Sequence, residues 1–86
     1  MVNIPRLRYK YMADGVYYIY LRDEYVGSVR EVEYYYGRLY NFEFRHPNDG
    51  VGFEEYNYEY GQKMFRELLI QRLARDSEIA LVEIDF

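Results

Sequence analysis

The sequence predicts an α+β fold: a four-stranded antiparallel β-meander, then one helix and a C-terminal strand (β-β-β-β-α-β), in two layers. Three observations lead there. Apolar and polar residues alternate through most of the first 45 positions, with turn residues at hairpin spacing. The period then lengthens to that of a helix between Asn57 and Arg75, and a short apolar run, Ile79 to Asp85, closes the chain. At 86 residues the chain makes a single domain spanning 1–86.

The elements follow in order. Asp14-Gly15 separates the alternating runs 6–12 and 16–22 and is a strong two-residue type I′ signal, since both central positions of that turn need positive φ. Asp23-Glu24 is a weaker turn ahead of 25–34, and Gly37 parts Tyr34-Tyr35-Tyr36 from the run 38–45. His46-Pro47-Asn48-Asp49-Gly50 ends the meander, because proline cannot donate to the ladder and Asp-Gly favours a turn. Beyond it, Gly61, Phe65, Leu68, Leu69, Arg72 and Leu73 trace one helical stripe. Asn57 stands where an N-cap belongs, Glu59 lies in the first turn with Lys63 four residues on, and Arg72 and Arg75 are expected in the last turn.

Register decides which side chains share a face, because a slip of one residue turns a strand over. Two-residue loops at Asp14-Gly15 and Asp23-Glu24 pair Tyr11 with Tyr18, Tyr9 with Tyr20 and Leu21 with Val26. A three-residue loop at Tyr35-Tyr36-Gly37 joins Val32 and Tyr34 to Tyr40, Phe42 and Phe44 and keeps Glu31 and Glu33 off the helix side. The face under the helix then reads Met12, Tyr17, Ile19, Leu21, Val26, Val32, Tyr34, Tyr40, Phe42 and Phe44. The open face carries Leu7, Tyr9, Tyr11, Val16, Tyr18, Tyr20, Tyr25 and Val29 at one side. Glu31, Glu33, Asn41, Glu43 and Arg45 lie at the other. Arg6, Arg8 and Lys10 fall on the helix side in this register, which suits only an edge strand beyond the helix.

Thirteen tyrosines and five phenylalanines, with no tryptophan, are more aromatic side chains than a core of this size uses. A sheet of five strands is roughly 24 Å wide and one helix about 10 Å across, so one face stays uncovered. An open tyrosine face of that extent marks a binding surface. Tyr9, Tyr11, Tyr18, Tyr20 and Tyr25 are the expected protein-interface residues. A homodimer that buries this face on itself, or an inhibitory or adaptor contact with a partner protein, is the expected mode. The alternative is nucleic-acid binding, with Arg6, Arg8, Lys10, Arg22 and Arg45 on phosphates and the tyrosines stacking on bases. On the register above it ranks second, since Glu31, Glu33 and Glu43 would flank the tyrosines and repel phosphate. Strand-strand-strand-helix order occurs in small DNA-binding domains of mobile-element recombinases, a likeness of architecture that brings no functional residues with it.

The chemistry of the chain points away from an enzyme. His46 is a lone histidine and reads as a loop residue. Ser28 and Ser77 have no catalytic context, and cysteine and threonine are absent. Gly50-Val51-Gly52 lacks the spacing of a phosphate loop and Glu54-Glu55 read as charges before the helix. The carboxylates Glu31, Glu33 and Glu43 read as a solvated polar end more than as a cation site. No catalytic residue, metal or cofactor is expected.

The net charge of −4 argues against strong indiscriminate nucleic-acid binding. That total is uneven: Arg6, Arg8, Lys10, Arg22 and Arg30 make the first 30 residues basic, and most carboxylates follow. There is no run of about 18 apolar residues and no apolar leader at the start, so a cytoplasmic protein without membrane contact is the expectation. Charged residues and tyrosine where thermolabile amides could stand suggest a thermophilic source, and small size with acidity suggests viral or mobile-element origin.

Overall fold

The computed structural model describes residues 4–46 and 51–84, with the side chains of 76–84 left aside. Five strands form one antiparallel sheet in the order β1-β2-β3-β4-β5: β1 Arg8–Ala13, β2 Val16–Leu21, β3 Glu24–Tyr34, β4 Gly37–Phe44 and β5 Phe53–Glu55. One helix, α1, spans Tyr58–Ile84 and packs on one face of the sheet. The α+β class and the meander agree with the sequence.

The end of the chain differs. The segment expected as a closing strand is helix through Ile84, and Asp85 lies outside the described residues. The fifth place in the sheet goes to Phe53–Glu55, a hairpin neighbour of β4. Asp76-Ser77 holds neither glycine nor proline, so nothing stops a helix that continues into Glu, Ala and Leu. Arg72 and Arg75 are therefore mid-helix, and the last turn has no basic residue.

The N-terminus of α1 is capped as expected. Tyr60 N donates to Asn57 Oδ1 at 2.9 Å and Gly61 N to Asn57 O at 2.9 Å. Asn57 N in turn donates to Glu55 Oε1 at 3.3 Å, so β5 is tied to the cap.

The core lies between α1 and the sheet. Ile19, Val29, Phe42 and Phe65 are completely buried, with Leu7, Val26, Phe44 and Leu69 around them. Two glycines set the helix–sheet distance. A Cβ on Gly27 of β3 would lie 2.6 Å from Phe65 Cζ, and a Cβ on Gly61 of α1 would run into the Phe42 ring. Each surface gives up a side chain where the other presents a phenyl ring. Phe65 then stacks on Phe44 at 4.4 Å between centroids, and Phe42 on Phe53 at 4.9 Å.

The registers differ from those expected, and each difference has a local cause. The Asp14-Gly15 turn forms with φ of 53° and 75°, as a type I′ turn requires, and Ala13 pairs with Val16. An irregularity between Tyr11 and Ala13, at Met12, then shifts the ladder by one residue. Tyr9 pairs with Ile19 and Tyr11 with Tyr17, while Arg8 and Lys10 oppose Tyr20 and Tyr18.

The next turn is Arg22-Asp23, with Arg22 at φ 57°, and a bulge at Val26 keeps both Val26 and Gly27 on the core side. The third loop is even: Tyr34 pairs with Gly37 across Tyr35-Tyr36, which sets Val29 against Phe42 and Val32 against Leu39. That register places the two most buried side chains of β3 and β4 together under the helix. The odd loop would have put Val29 on the open face.

Candidate nucleic-acid interface on the open sheet face

With these registers the face away from the helix has a composition the sequence did not disclose. β1 contributes Arg8 and Lys10, β2 contributes Val16, Tyr18 and Tyr20, and β3 contributes Tyr25, Ser28, Arg30, Val32 and Tyr34. From β4 and β5 come Leu39, Asn41, Glu43 and Glu54. The tyrosines form a row: Tyr18 lies 4.9 Å from Tyr25, and Tyr20 lies 6.1 Å from Tyr25 at 64°. The Arg8 guanidinium sits over the Tyr20 ring, 5.1 Å from its centroid.

Beside this row a hollow of about 450 Å³ is lined by Val16, Tyr18, Tyr25, Ser28, Arg30, Asn41 and Glu43. Asn41 Oδ1 is buried there without a hydrogen-bond partner. At the turn end of the same row, Arg22 and Arg45 share a second hollow with Tyr25, Asp23 and Glu24. Arg8, Lys10 and Arg30 are exposed, while Tyr18, Tyr20 and Tyr25 are half-buried by one another.

Of the ten side chains singled out in the sequence, six thus meet on or beside one surface with Tyr25: Arg8, Lys10, Tyr18, Tyr20, Arg22 and Arg45. Three do not. Tyr9 and Tyr11 face the helix side, carried there by the irregularity at Met12: Tyr9 lies 6.1 Å from Tyr58 and Tyr11 lies 5.2 Å from Tyr17. Arg6 lines a groove beside α1. Arg30 was missed, because its face is fixed only by pairing with Val16 and Asn41.

The acidic flank also dissolves. Glu31 and Glu33 lie on the helix side, where Arg38 Nη1 meets Glu31 at 2.7 Å and Nη2 meets Glu33 at 3.5 Å. The two carboxylates hold the Arg38 guanidinium more firmly protonated. Only Glu43 remains on the tyrosine face, joined by Glu54 at the β5 edge. The hydrophobic assignments change with the same shifts: Val29 and Leu7 belong to the core, Val32 and Tyr34 to the open face, and Met12 is exposed.

Under the helix a second group of tyrosines is structural. Tyr58 stacks on Tyr40 at 4.7 Å and borders Tyr17 and Tyr9. Burial pushes the Tyr9 phenol well above its usual range, reinforced by Tyr58, and burial followed by Tyr17 raises Tyr58. Tyr9 Oη is buried without a partner.

Below about pH 10 these phenols are neutral in the folded and unfolded chain alike, so their contribution to stability is complete. Above that value the unfolded chain ionises first, and stability falls as pH rises. The fall is at most about 1.4 kcal/mol per pH unit through the half-buried Tyr9 and less through the more exposed Tyr58. Denaturant unfolding between pH 8 and about 12 is expected to show this decline. Tyr9→Phe should make it shallower without loss of stability at pH 8, because the substitution also removes an unsatisfied hydroxyl. An unchanged slope would show that Tyr9 ionises freely in the fold.

His46 is exposed, and residues 47–50 of its loop lie outside the described residues. Among the described residues no group of three or more His, Asp or Glu is placed to hold a metal ion, and no helix is long and apolar enough to cross a membrane. The chain matches no protein-family model, and neither the curated proteins nor the solved structures contain a significant match to it.

Proposed function

We propose that the protein binds single-stranded nucleic acid on the open face of its sheet. Tyr18, Tyr20 and Tyr25 would stack on bases, and Arg8, Lys10 and Arg30 would contact phosphates. The observation that carries this reading is the shared face itself: Arg8 and Lys10 stand opposite Tyr20 and Tyr18, and Arg30 stands opposite Val16 on the same face. Glu31 and Glu33, whose expected repulsion of phosphate favoured a protein partner, lie on the other side.

Single strands suit this face better than duplex. A sheet of five strands is roughly 24 Å wide and does not enter a B-form major groove of about 12 Å. Unpaired bases can instead lie flat on aromatic rings, a sequence-tolerant mode. The net charge of −4 lowers the long-range attraction, so moderate affinity at physiological salt is the expectation.

The test is fluorescence anisotropy with a labelled single-stranded oligonucleotide. Three phosphate contacts imply a log–log salt slope of about −2, or close to twentyfold weaker binding between 50 and 200 mM salt. Tyr18→Ala is expected to cost roughly 1–3 kcal/mol of binding while the circular dichroism spectrum stays native. A salt-insensitive complex, or equal affinity for the variant, would exclude the reading.

A second copy of the chain is the other occupant this face favours, by way of protein association. Val16, Val32, Tyr34 and the buried Leu39 share the face. Two of its cations, Arg8 and Lys10, lie on the β1 edge with Arg30 on the central strand, and its carboxylates, Glu43 and Glu54, lie toward β5. A two-fold axis parallel to the strands would lay one copy's basic edge over the other's acidic edge. Light scattering separates the two readings, since a dimer formed through this face would exclude the oligonucleotide.

A further inference from the structure

We propose that the groove between the N-terminal segment and α1 is a phosphate-binding site. The groove has a volume of about 620 Å³ and is lined by Arg6, Leu7, Tyr9, Gln62, Lys63 and Arg66. Three of its six lining residues are cationic and none is acidic, in a chain whose net charge is −4.

The three cations do different work. Arg66 donates through Nη1 to Pro5 O at 2.9 Å and through Nη2 to Ile4 O at 2.7 Å. Two of its five N–H donors are committed to the backbone, so it fixes the groove wall and holds its charge there. Arg6 and Lys63 are exposed, and among the described residues neither is in an ion pair. The carboxylates of Glu59 and Glu67, one helical turn either side of Lys63, are not part of the lining. Two uncommitted cations, held beside a third that cannot move away, attract a compact multivalent anion. Phosphate is the common biological group of that description, and the volume admits a nucleotide-sized ligand.

The phosphate can come from a free phosphate ester or from the backbone of a strand that runs past the start of β1, since Arg6 stands two residues before Arg8, the first residue of β1. In the second case the groove extends the surface proposed above and rests on that reading. The first case is independent of it.

The probe is inorganic pyrophosphate, titrated into the full chain at low salt and followed by amide NMR. Saturable shifts are expected at Gln62, Lys63 and Arg66, with at least about tenfold weaker binding in the Arg6→Gln/Lys63→Gln double variant. No saturable shift at these amides, or equal affinity in the double variant, would overturn the proposal. Oligonucleotides of about three and about twelve nucleotides identify the source. If the backbone of a strand is the ligand, the double variant weakens only the longer one; if a free ester is, it weakens neither and only pyrophosphate binding suffers. Should neither oligonucleotide bind the wild type, the sheet-face reading fails and the pyrophosphate result still decides the groove.

Discussion

Phe65→Ala is expected to be the most damaging single substitution in the domain, at a cost of roughly 3–5 kcal/mol. Its ring is fully buried, stacks on Phe44, lies 6.1 Å from Phe42, and fills the space that Gly27 leaves open. The loss therefore combines transfer of the ring with a cavity that the backbone at Gly27 cannot close. A domain of this length has a total stability of roughly 4–13 kcal/mol, so the variant should be near or past its folding threshold at 25 °C. Urea unfolding checks this, with Phe65→Leu as the control that keeps most of the volume. A loss under about 1 kcal/mol for the alanine variant would mean that α1 does not hold the sheet through this contact.

The second large effect is on binding. The triple variant Arg8→Gln, Lys10→Gln, Arg30→Gln is expected to lose single-strand affinity by on the order of a hundredfold at 50 mM salt, with its salt slope falling toward zero. None of the three is buried, so stability should change by less than about 0.5 kcal/mol for each site. The comparison that gives the result meaning is Arg38→Gln. Arg38 is just as exposed, yet it lies on the helix side between Glu31 and Glu33. Its loss is expected to leave oligonucleotide binding unchanged. Equal losses for the two variants would indicate a diffuse charge effect rather than a surface on one face.

Much of the fold was legible in the sequence because local chemistry carried it. Asp14-Gly15 specifies its turn through positive φ at both positions, and Asn57 marks the start of α1 through the cap it makes with Tyr60 N. Tyr17, Ile19, Tyr40, Phe42 and Phe44 fell on the correct side. The missing information was register, which is a tertiary property here. The irregularity at Met12 and the bulge at Val26 leave no composition signal, yet each moves its strand by one residue.

That single-residue shift explains why Tyr9 and Tyr11 were placed on the binding face and Arg8 and Lys10 on the helix side. It also takes Arg8 and Lys10 off the helix side, while Arg6 stays beside α1. The pattern of Val32 and Tyr34 against Tyr40, Phe42 and Phe44 favoured an odd loop because it counted apolar residues on one face only. The open face is itself partly apolar, with Val32 opposite Leu39, so that criterion could not discriminate. The end of α1 was missed for a different reason: Ile79 to Asp85 is a short apolar run, which periodicity alone does not assign to strand or helix. The tyrosine excess was read as a packed set, Tyr17, Tyr34 and Tyr40, beside an open set, and the division stands with Tyr34 moved to the open face and Tyr9 and Tyr11 to the helix side. The packed set lies around Tyr58, and the open row runs from Tyr18 to Tyr25.

The most direct test of the open face as the nucleic-acid surface is an amide and aromatic NMR titration of the wild-type chain with an unlabelled single-stranded oligonucleotide. The expected result is that Tyr18, Tyr20, Tyr25 and Arg30 shift saturably, while Tyr40, Phe42, Tyr58 and Phe65 under the helix stay in place. Shifts concentrated on the helix side, or none anywhere at protein concentrations that give a monomer, would contradict it.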